Sequence, residues 1–200
     1  IYLGYESLEN ELGVPLFGNR YLLRVEERGV ERNQYYLLEK AGIPHPRIVK
    51  DPSEISGLVM VKAPEAARGF ERAFFIASSE EEYYRKADDM VKKGLISRES
   101  LEKSVIEEFV VGSPFNFNFF YSPIDDELEL LGVDTRRQTN IEGLLRIPAT
   151  VQSEVLRHIE LRNIEVGHIA CTVRESLLER AFELAERFKK VCEDEYPPGI

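Results

Sequence analysis

Apolar residues recur with a helical period in three stretches of the chain, and this pattern predicts one or two amphipathic helices over 19–40 and one each over 79–94 and 172–195. Ser79 with Glu82 forms the capping-box pattern before the second helix, and Thr172 with Glu175 forms it before the third. A helix with one apolar face must bury that face, so these helices are expected to pack on another layer of structure.

Shorter runs, apolar or alternating, lie between the predicted helices and favour β-strands. These strands are predicted over 47–50, 58–62, 73–77, 105–111, 115–121 and 127–134. The first two are expected to pair with each other, and the last two are expected to form a hairpin around the turn at 122–126. Helices packed on antiparallel strands make α+β the predicted fold class.

The charge of the chain limits its partners. It carries 26 basic and 36 acidic residues, a formal net charge of −10, so the chain as a whole is a poor counterion for nucleic acid or for an anionic membrane surface. No apolar run approaches the length that spans a bilayer. We therefore expect neither nucleic acid nor a membrane as partner, and any bound phosphate must be met by a local site.

Cysteine and histidine offer little chemistry in this sequence. Cys171 and Cys192 have no neighbour at metal-ligand spacing, which argues against a zinc site or a disulfide framework and indicates a reducing compartment, by default the cytoplasm. Cys192 is expected to be a packed thiol on the last helix. We interpret His45, His158 and His168 as structural or surface residues.

Lys62 is the first candidate for chemistry, because it ends an apolar strand and a lysine is costly to bury without a partner. The loop that follows carries Arg68, Gly69 and Arg72, so a phosphate is a natural partner for this region. The alternative is a strand-end lysine that extends its ammonium group into water.

Glu107 and Glu108 are the second candidate. Adjacent residues of a strand point to opposite faces, so one carboxylate can approach a ligand while the other points away, and the backbone beyond them can pair with the edge of a base. An ordinary solvated strand edge is the alternative.

In the hairpin, Asn116 and Asn118 share one face, which either lines a nucleotide cleft or is an exposed sheet face.

The order of these pieces is more specific than any one of them. AGIPHPR at 41–47 precedes Lys62 and IEEFVVG at 106–112, and the runs DTRRQTN at 134–140 and RESLLERAFELAERF at 174–188 follow. Over nearly the whole chain, this order and these runs resemble the archaeal PurP family of the ATP-grasp superfamily. The resemblance implies an ATP-grasp fold, with antiparallel sheets and packed helices in two lobes. It divides the chain into a helical linker at 1–44, a small lobe at 45–110 and an incomplete large lobe at 111–200.

The resemblance also implies an activity and its ligands. PurP-family ligases use ATP to join formate, through formyl phosphate, to 5-aminoimidazole-4-carboxamide ribonucleotide in IMP biosynthesis. The implied cofactors are ATP and Mg²⁺, with Mn²⁺ as a substitute, and the metal ligands are expected after Ile200. The implied partners are the two small substrates and further copies of the chain in a homo-oligomer.

Site residues carry over only at matching positions. Lys62 is expected to contact the ATP phosphates and to be the catalytic cation, and Asn140 is expected in the aminoimidazole nucleotide site with Arg136 and Arg137 as neighbours. The adenine and ribose are expected to contact Glu107, Glu108, Phe109 and Val110. An asparagine offers both a donor and an acceptor to a carboxamide, and arginine pairs with phosphate.

The loop after Lys62 departs from the family pattern. Three of the four glycines typical of that loop are absent, and Glu65 and Glu71 add negative charge. Glycines let backbone N–H groups close on a phosphate. Two alternatives to the formate ligase therefore stay open: a non-catalytic paralogue that binds purine nucleotide, and an ATP-grasp ligase for another small acid.

Overall fold

The computed structural model describes residues 13, 22, 25, 30–63, 74–159 and 165–196, with backbone alone at 138–141 and 165–166. Within these residues, none of the helices combines the length and the apolarity that crossing a bilayer requires. Of the one or two helices predicted over 19–40, the structure describes the helix Gln34–Lys40; residues 30–33 before it are not helical, and most of 19–29 lies outside the described residues. The glycine-poor loop, 64–73, also lies outside them.

Helices and strands alternate along the described chain. The helices are α1 (Gln34–Lys40), α2 (Glu80–Lys92), α3 (Arg98–Glu102), α4 (Thr139–Leu145), α5 (Ala149–Leu156) and α6 (Glu175–Glu195), with a 3₁₀ turn at Pro52–Glu54. The strands are β1 (Ile48–Val49), β2 (Val59–Lys62), β3 (Phe74–Ala77), β4 (Val105–Glu108), β5 (Asn116–Ser122), β6 (Glu127–Gln138) and β7 (Glu165–Ala170).

The first sheet has four antiparallel strands in the order β1-β4-β2-β3. The prediction that β1 and β2 pair with each other is wrong, because β4 lies between them and pairs with both. Proximity along the chain suggested the wrong neighbour: β4 follows β2 by more than forty residues and still supplies the central ladder. Its register sets Met60 opposite Glu107 and Lys62 opposite Val105.

Each face of this sheet packs against helices. On one face, Val59, Val61 and Ile106 join a buried cluster with residues of α2 such as Tyr83 and Ala87. On the other face, Met60 and Ile76 pack against Leu144 of α4 and Leu156 of α5. Both faces of the sheet are therefore covered, as expected of helices layered on an antiparallel sheet.

The predicted cap of α2 is confirmed. The Ser79 hydroxyl accepts a hydrogen bond from the Glu82 N–H at 3.2 Å, and the Glu82 carboxylate accepts from the N–H and hydroxyl of Ser78. Burial by itself would raise the pKa of Glu82, but hydrogen bonds from Lys86 and Ser78 outweigh it and lower the pKa to about 2. The Thr172 cap is wrong: α6 begins at Glu175, and the residue before it, Arg174, is extended and provides no side-chain cap.

The second sheet has the order β5-β6-β7, so the predicted hairpin of β5 and β6 is confirmed. β6 extends to Gln138, four residues further than predicted, because it gains an antiparallel partner in β7. The strand predicted over 105–111 ends at Glu108. The segment after it therefore leaves the sheet.

Two compact units divide the described chain. One contains residues 1–45, 119–129 and 174–200, and within it Leu37 of α1 packs with Cys192 and Phe188 of α6. The other contains residues 46–118 and 130–173, and it holds the four-stranded sheet. Cys192 is a packed thiol as predicted, and burial raises its pKa to about 11, with Glu193 adding to the effect. The division into lobes at 45–110 and 111–200 stays a prediction.

Candidate nucleotide site

Lys62 and Glu107 form an ion pair at the end of the four-stranded sheet. The register of β2 and β4 makes them diagonal neighbours on one face, within reach of a long side chain. The Lys62 side chain is 27% exposed and that of Glu107 only 6%. The lysine does not simply extend into water, because a buried carboxylate holds its ammonium group beside the sheet.

The two adjacent acids have opposite surroundings, as predicted. Glu107 is buried on the face that packs against α4 and α5, while Glu108 is exposed and accepts a hydrogen bond from the Arg47 N–H at 3.4 Å. Strand alternation is the cause, since successive side chains leave a strand on opposite sides. Of this pair, only Glu107 shares a face with Lys62.

Beyond the acids, the chain leaves the sheet in a short segment over 109–112. The Phe109 N–H donates to the Leu58 carbonyl at 3.0 Å, and the Phe109 ring packs in the apolar cluster that contains Leu144 and Leu156. Val110 then extends into solvent, with 63% of its surface exposed, and Val111 is also exposed. Among the residues that the structure describes, neither the Val110 nor the Val111 N–H has a hydrogen-bond partner. This backbone is free to pair with the edge of a planar ligand.

Gln152 on α5 holds the far end of the 109–112 segment. Its side-chain oxygen accepts a hydrogen bond from the Gly112 N–H at 3.0 Å, and its amide nitrogen donates to the Ile147 carbonyl at 3.1 Å. The residue is 1% exposed. Glu107 and Gln152 are the buried polar side chains of the described core, and both lie at this site.

A second polar cluster lies on one face of the three-stranded sheet. The Asp134 carboxylate accepts hydrogen bonds from the amides of Asn116 and Asn118, each at 2.7 Å, and lies 2.7 Å from Nδ1 of His168. These contacts, in that order of size, lower the pKa of Asp134 to about 2. The shared face of Asn116 and Asn118 is thus used to hold a carboxylate, and His168 is tied to the same group.

The predicted substrate residues fall into different surroundings. Arg136 pairs directly with His168 across β6 and β7, on the face of Asp134, whereas Arg137 points to the other face and lies 3.7 Å from the Glu142 carboxylate. Asn140 lies in the first turn of α4. That helix packs through Leu144 on the sheet face that carries Lys62 and Glu107. The structure therefore brings α4, the helix that contains Asn140, to the candidate site, and Arg137 is tied to the same helix through Glu142.

Metal ligation finds no support in the described part of the chain, which contains no group of three or more histidine, cysteine, aspartate or glutamate side chains that could hold an ion. Oxygen ligands are what Mg²⁺ requires. The expectation that its ligands follow Ile200 stays a prediction.

Comparison with known families fixes where the chain belongs. Residues 82–200 match the model described as a domain of unknown function, DUF1297, and residues 1–49 match a protein of unknown function, DUF1246. The chain belongs to the DUF1297 family.

Relatives of this DUF1297 chain carry a more informative name. It is 44% identical over 200 residues to the 5-formaminoimidazole-4-carboxamide-1-(beta)-D-ribofuranosyl 5'-monophosphate synthetase of Methanocaldococcus jannaschii, and 43% identical to the protein of that name from Methanopyrus kandleri. All of the chain is covered, against 54% of each relative. The chain thus spans about half the length of the curated relatives it matches. The resemblance to the archaeal PurP family is confirmed.

A solved structure supports the fold. An IMP biosynthesis protein PurP from Thermococcus kodakaraensis superposes with a TM-score of 0.58 at 24% identity, over 98% of this chain and 56% of that one. The α+β class is confirmed, and the fold is that of PurP, for which the resemblance implied ATP-grasp architecture.

Sequence reasoning missed two features of the site. Nothing in the sequence pattern indicated the role of Gln152. A lone glutamine in a helix usually lies on a solvated face, and only the packing of the structure reveals its burial. Asp134 and His168 were separated by 34 residues, and β7 was not predicted, so nothing in the pattern joined them. The alternation of asparagines in β5 was the available hint that their face had a common partner.

Proposed function

We propose that the protein is an ATP-dependent ligase that formylates 5-aminoimidazole-4-carboxamide ribonucleotide with formate in IMP biosynthesis. Two features of β2 and β4 carry the proposal: a Lys62–Glu107 pair on one face of the sheet, and, beyond the end of β4, Val110 and Val111, whose N–H groups have no partner among the described residues and can pair with the edge of a base. The 44% identity to a synthetase named for that product supports the choice of substrates. Mg²⁺, a homo-oligomeric state and a cytoplasmic location belong to the same proposal.

The proposed reaction has two balanced steps. A carboxylate oxygen of formate attacks the γ-phosphorus of ATP, and ADP leaves. The amine nitrogen of the ribonucleotide then attacks the formyl carbon, phosphate leaves, and the nitrogen loses a proton. Neither step requires an enzyme nucleophile.

Lys62 is the residue of this chain suited to the first step. Charge on the transferring phosphoryl group is stabilised most effectively by a cation fixed in place beforehand. The buried Glu107 carboxylate restrains the lysine ammonium at the strand end, so a bound phosphate would meet a cation that is already oriented. The side chain is exposed enough to exchange part of its contact with Glu107 for a phosphate oxygen.

A non-catalytic nucleotide-binding protein is the second candidate, and the sequence of the loop at 64–73 favours it. In the sequence, Glu65 and Glu71 occur within the stretch that corresponds to the glycine-rich loop of the family. Carboxylates repel a polyanion, and residues other than glycine resist the conformations that such a loop needs. A protein of this kind would bind purine nucleotide without turning it over.

Product analysis distinguishes the two candidates. Full-length protein is incubated with Mg-ATP, formate and the ribonucleotide, beside a sample without formate, and the products are measured by mass spectrometry. A formate-dependent formyl adduct together with ADP is the expected result. Nucleotide binding without either product would instead establish the second candidate, and a panel of small acids would identify a different acid substrate.

Substitution of Lys62 tests its role within the ligase. Lys62→Met is expected to lower kcat by at least about 100-fold, the usual effect of removing a fixed charge-stabilising group. The matched control is Lys103→Met, because Lys103 is an exposed lysine that also pairs with a glutamate. Equal activity of the two variants would refute the assignment of Lys62.

A further inference from the structure

We propose that Gln152 is a positioning residue that fixes the backbone of 109–112 for adenine and thereby sets the preference of the site for ATP over GTP. The inference rests on the proposed function, because it concerns the same nucleotide site. Gln152 need not touch the nucleotide; it acts through the Gly112 N–H that it binds.

The 109–112 segment is held at both ends and free between them. At its start, the Phe109 N–H donates to the carbonyl of Leu58, the residue before β2. At its end, the Gly112 N–H donates to the side-chain oxygen of Gln152. Val110 and Val111 lie between these anchors, with exposed side chains and N–H groups that have no partner among the described residues. Two fixed points on so short a segment leave its peptide groups little freedom to rotate or to shift along the chain.

Gln152 itself is fixed well enough to act as an anchor. The residue is 1% exposed. Its side-chain amide joins two segments: it accepts a hydrogen bond from the Gly112 N–H and donates one to the carbonyl of Ile147, a residue that follows α4. Because the second bond determines which end of the amide faces Gly112, the oxygen is always presented to the N–H. Gly112 adopts φ +139°, a conformation that other residues rarely adopt, so the segment turns sharply at the anchor.

Fixed peptide groups discriminate between purines. The pairing edge of adenine offers a donor at N6 and an acceptor at N1, whereas guanine offers an acceptor at O6 and a donor at N1. A backbone that presents one carbonyl and one N–H at set positions fits only one of these orders. A segment released from Gln152 could shift or rotate a peptide group and accept the other order, so the loss of the anchor should relax selectivity as well as weaken binding.

The first test measures ATP and GTP affinity in the full-length protein. Gln152→Leu is expected to raise the Kd for ATP about tenfold, the effect of losing one well-placed hydrogen bond. The Kd for GTP should rise less or fall, so the ratio of the two affinities drops. Ile96→Ala is the control, because Ile96 is buried in the cluster on the opposite face of the sheet, which does not include Phe109, so its loss should lower the melting temperature without altering the packing of 109–112.

The second test uses a variant in which a carboxyl group, which can be protonated or ionised, replaces the amide of Gln152. In Gln152→Glu, an ionised carboxylate would set an oxygen against the Ile147 carbonyl, which repels it, while a protonated carboxyl group can still donate to that carbonyl and accept from Gly112. Relative to wild type at each pH, the ATP affinity of this variant should recover as the pH is lowered. Hydrogen exchange should also show the Gly112 amide protected in wild type and exposed in Gln152→Leu.

The outcomes are distinguishable. If wild type binds no ATP, the proposed function fails and this inference fails with it. If wild type binds ATP but Gln152→Leu keeps the wild-type ATP-to-GTP ratio, or Ile96→Ala changes that ratio equally, the site stands and the positioning role is wrong. A Gln152→Glu affinity that does not depend on pH would likewise overturn it.

Discussion

At the scale of single residues, charged side chains on the two sheets are held by partners on neighbouring strands. Lys62 is held by Glu107 from the neighbouring strand, and Asp134 is held by Asn116, Asn118 and His168 from strands on either side of it. An ionised group on a sheet is costly to desolvate, and hydrogen bonds from neighbouring strands offset that cost. Both arrangements leave a charged group fixed in place.

The Asp134 cluster predicts how stability depends on pH. Because its partners lower the folded-state pKa to about 2 from an ordinary 3.8, the carboxylate stabilises the fold fully above about pH 4, and this contribution is lost as the pH falls towards 2. Asp134→Asn should therefore lower the melting temperature near neutral pH, and the difference from wild type should shrink as the pH falls through that window.

Thermal unfolding from pH 7 to pH 2 measures this effect. Asp88→Asn, which changes an exposed aspartate on α2, is the control and should follow the wild-type curve. A difference between Asp134→Asn and wild type that stays constant at every pH would mean that the loss is one of packing rather than of charge.

At the scale of elements, helix ends depend on partners that come from elsewhere in the chain. The last turn of α1 is closed by Arg187 of α6, whose guanidinium donates to the carbonyls of Ala41 and Gly42. Free carbonyls at a helix C-terminus need donors, and a cation there also opposes the helix dipole. The contact joins the two helices of the unit that contains them.

Gly42 is required at this helix end for two reasons. Its φ is +60°, and a Cβ there would lie 2.6 Å from Nη2 of Arg187. Gly42→Ala should therefore destabilise the protein by about 1–2 kcal/mol, because it strains the backbone and displaces the arginine.

Chemical denaturation measures that cost. Gly57→Ala is the control, because a Cβ at Gly57 meets open space and its φ lies outside the left-handed region, so its effect should stay within about 0.5 kcal/mol. The Gly42 interpretation would be wrong if both variants unfolded at the same denaturant concentration.

At the scale of the whole molecule, a protein of net charge −10 must bind a polyanion through a local cation. A ligand that binds only the folded state stabilises it by mass action, about 2.7 kcal/mol at 100 times its Kd. Mg-ATP should therefore raise the melting temperature of the full-length protein. AMP, which has the base but lacks the outer phosphates, should raise it less.

Lys62→Met distinguishes binding of the phosphates from binding of the base. It should remove most of the additional stabilisation by ATP and leave the stabilisation by AMP unchanged, since in the proposed site the base pairs with 109–112 and not with the lysine. Scanning fluorimetry with both nucleotides is the measurement. Equal loss for ATP and AMP would mean that Lys62 supports the fold of the site and not the binding of phosphate.

Local structure could be predicted from the sequence pattern. The periodicity of α2 and of the β5–β6 hairpin, the Ser79 cap and the opposite orientation of Glu107 and Glu108 all depend on residues a few positions apart, which is the range over which a pattern carries information. The runs at 41–47, 106–112, 134–140 and 174–188 were distinctive enough to indicate the family.

Only the tertiary structure decided which distant residues meet. The insertion of β4 between β1 and β2, the pairing of Asp134 with His168 on an unpredicted strand and the burial of Gln152 against Gly112 each join parts of the chain separated by more than thirty residues. Such contacts are selected by the packing of complete elements, because many pairings satisfy the same local pattern and only one covers both faces of the sheet.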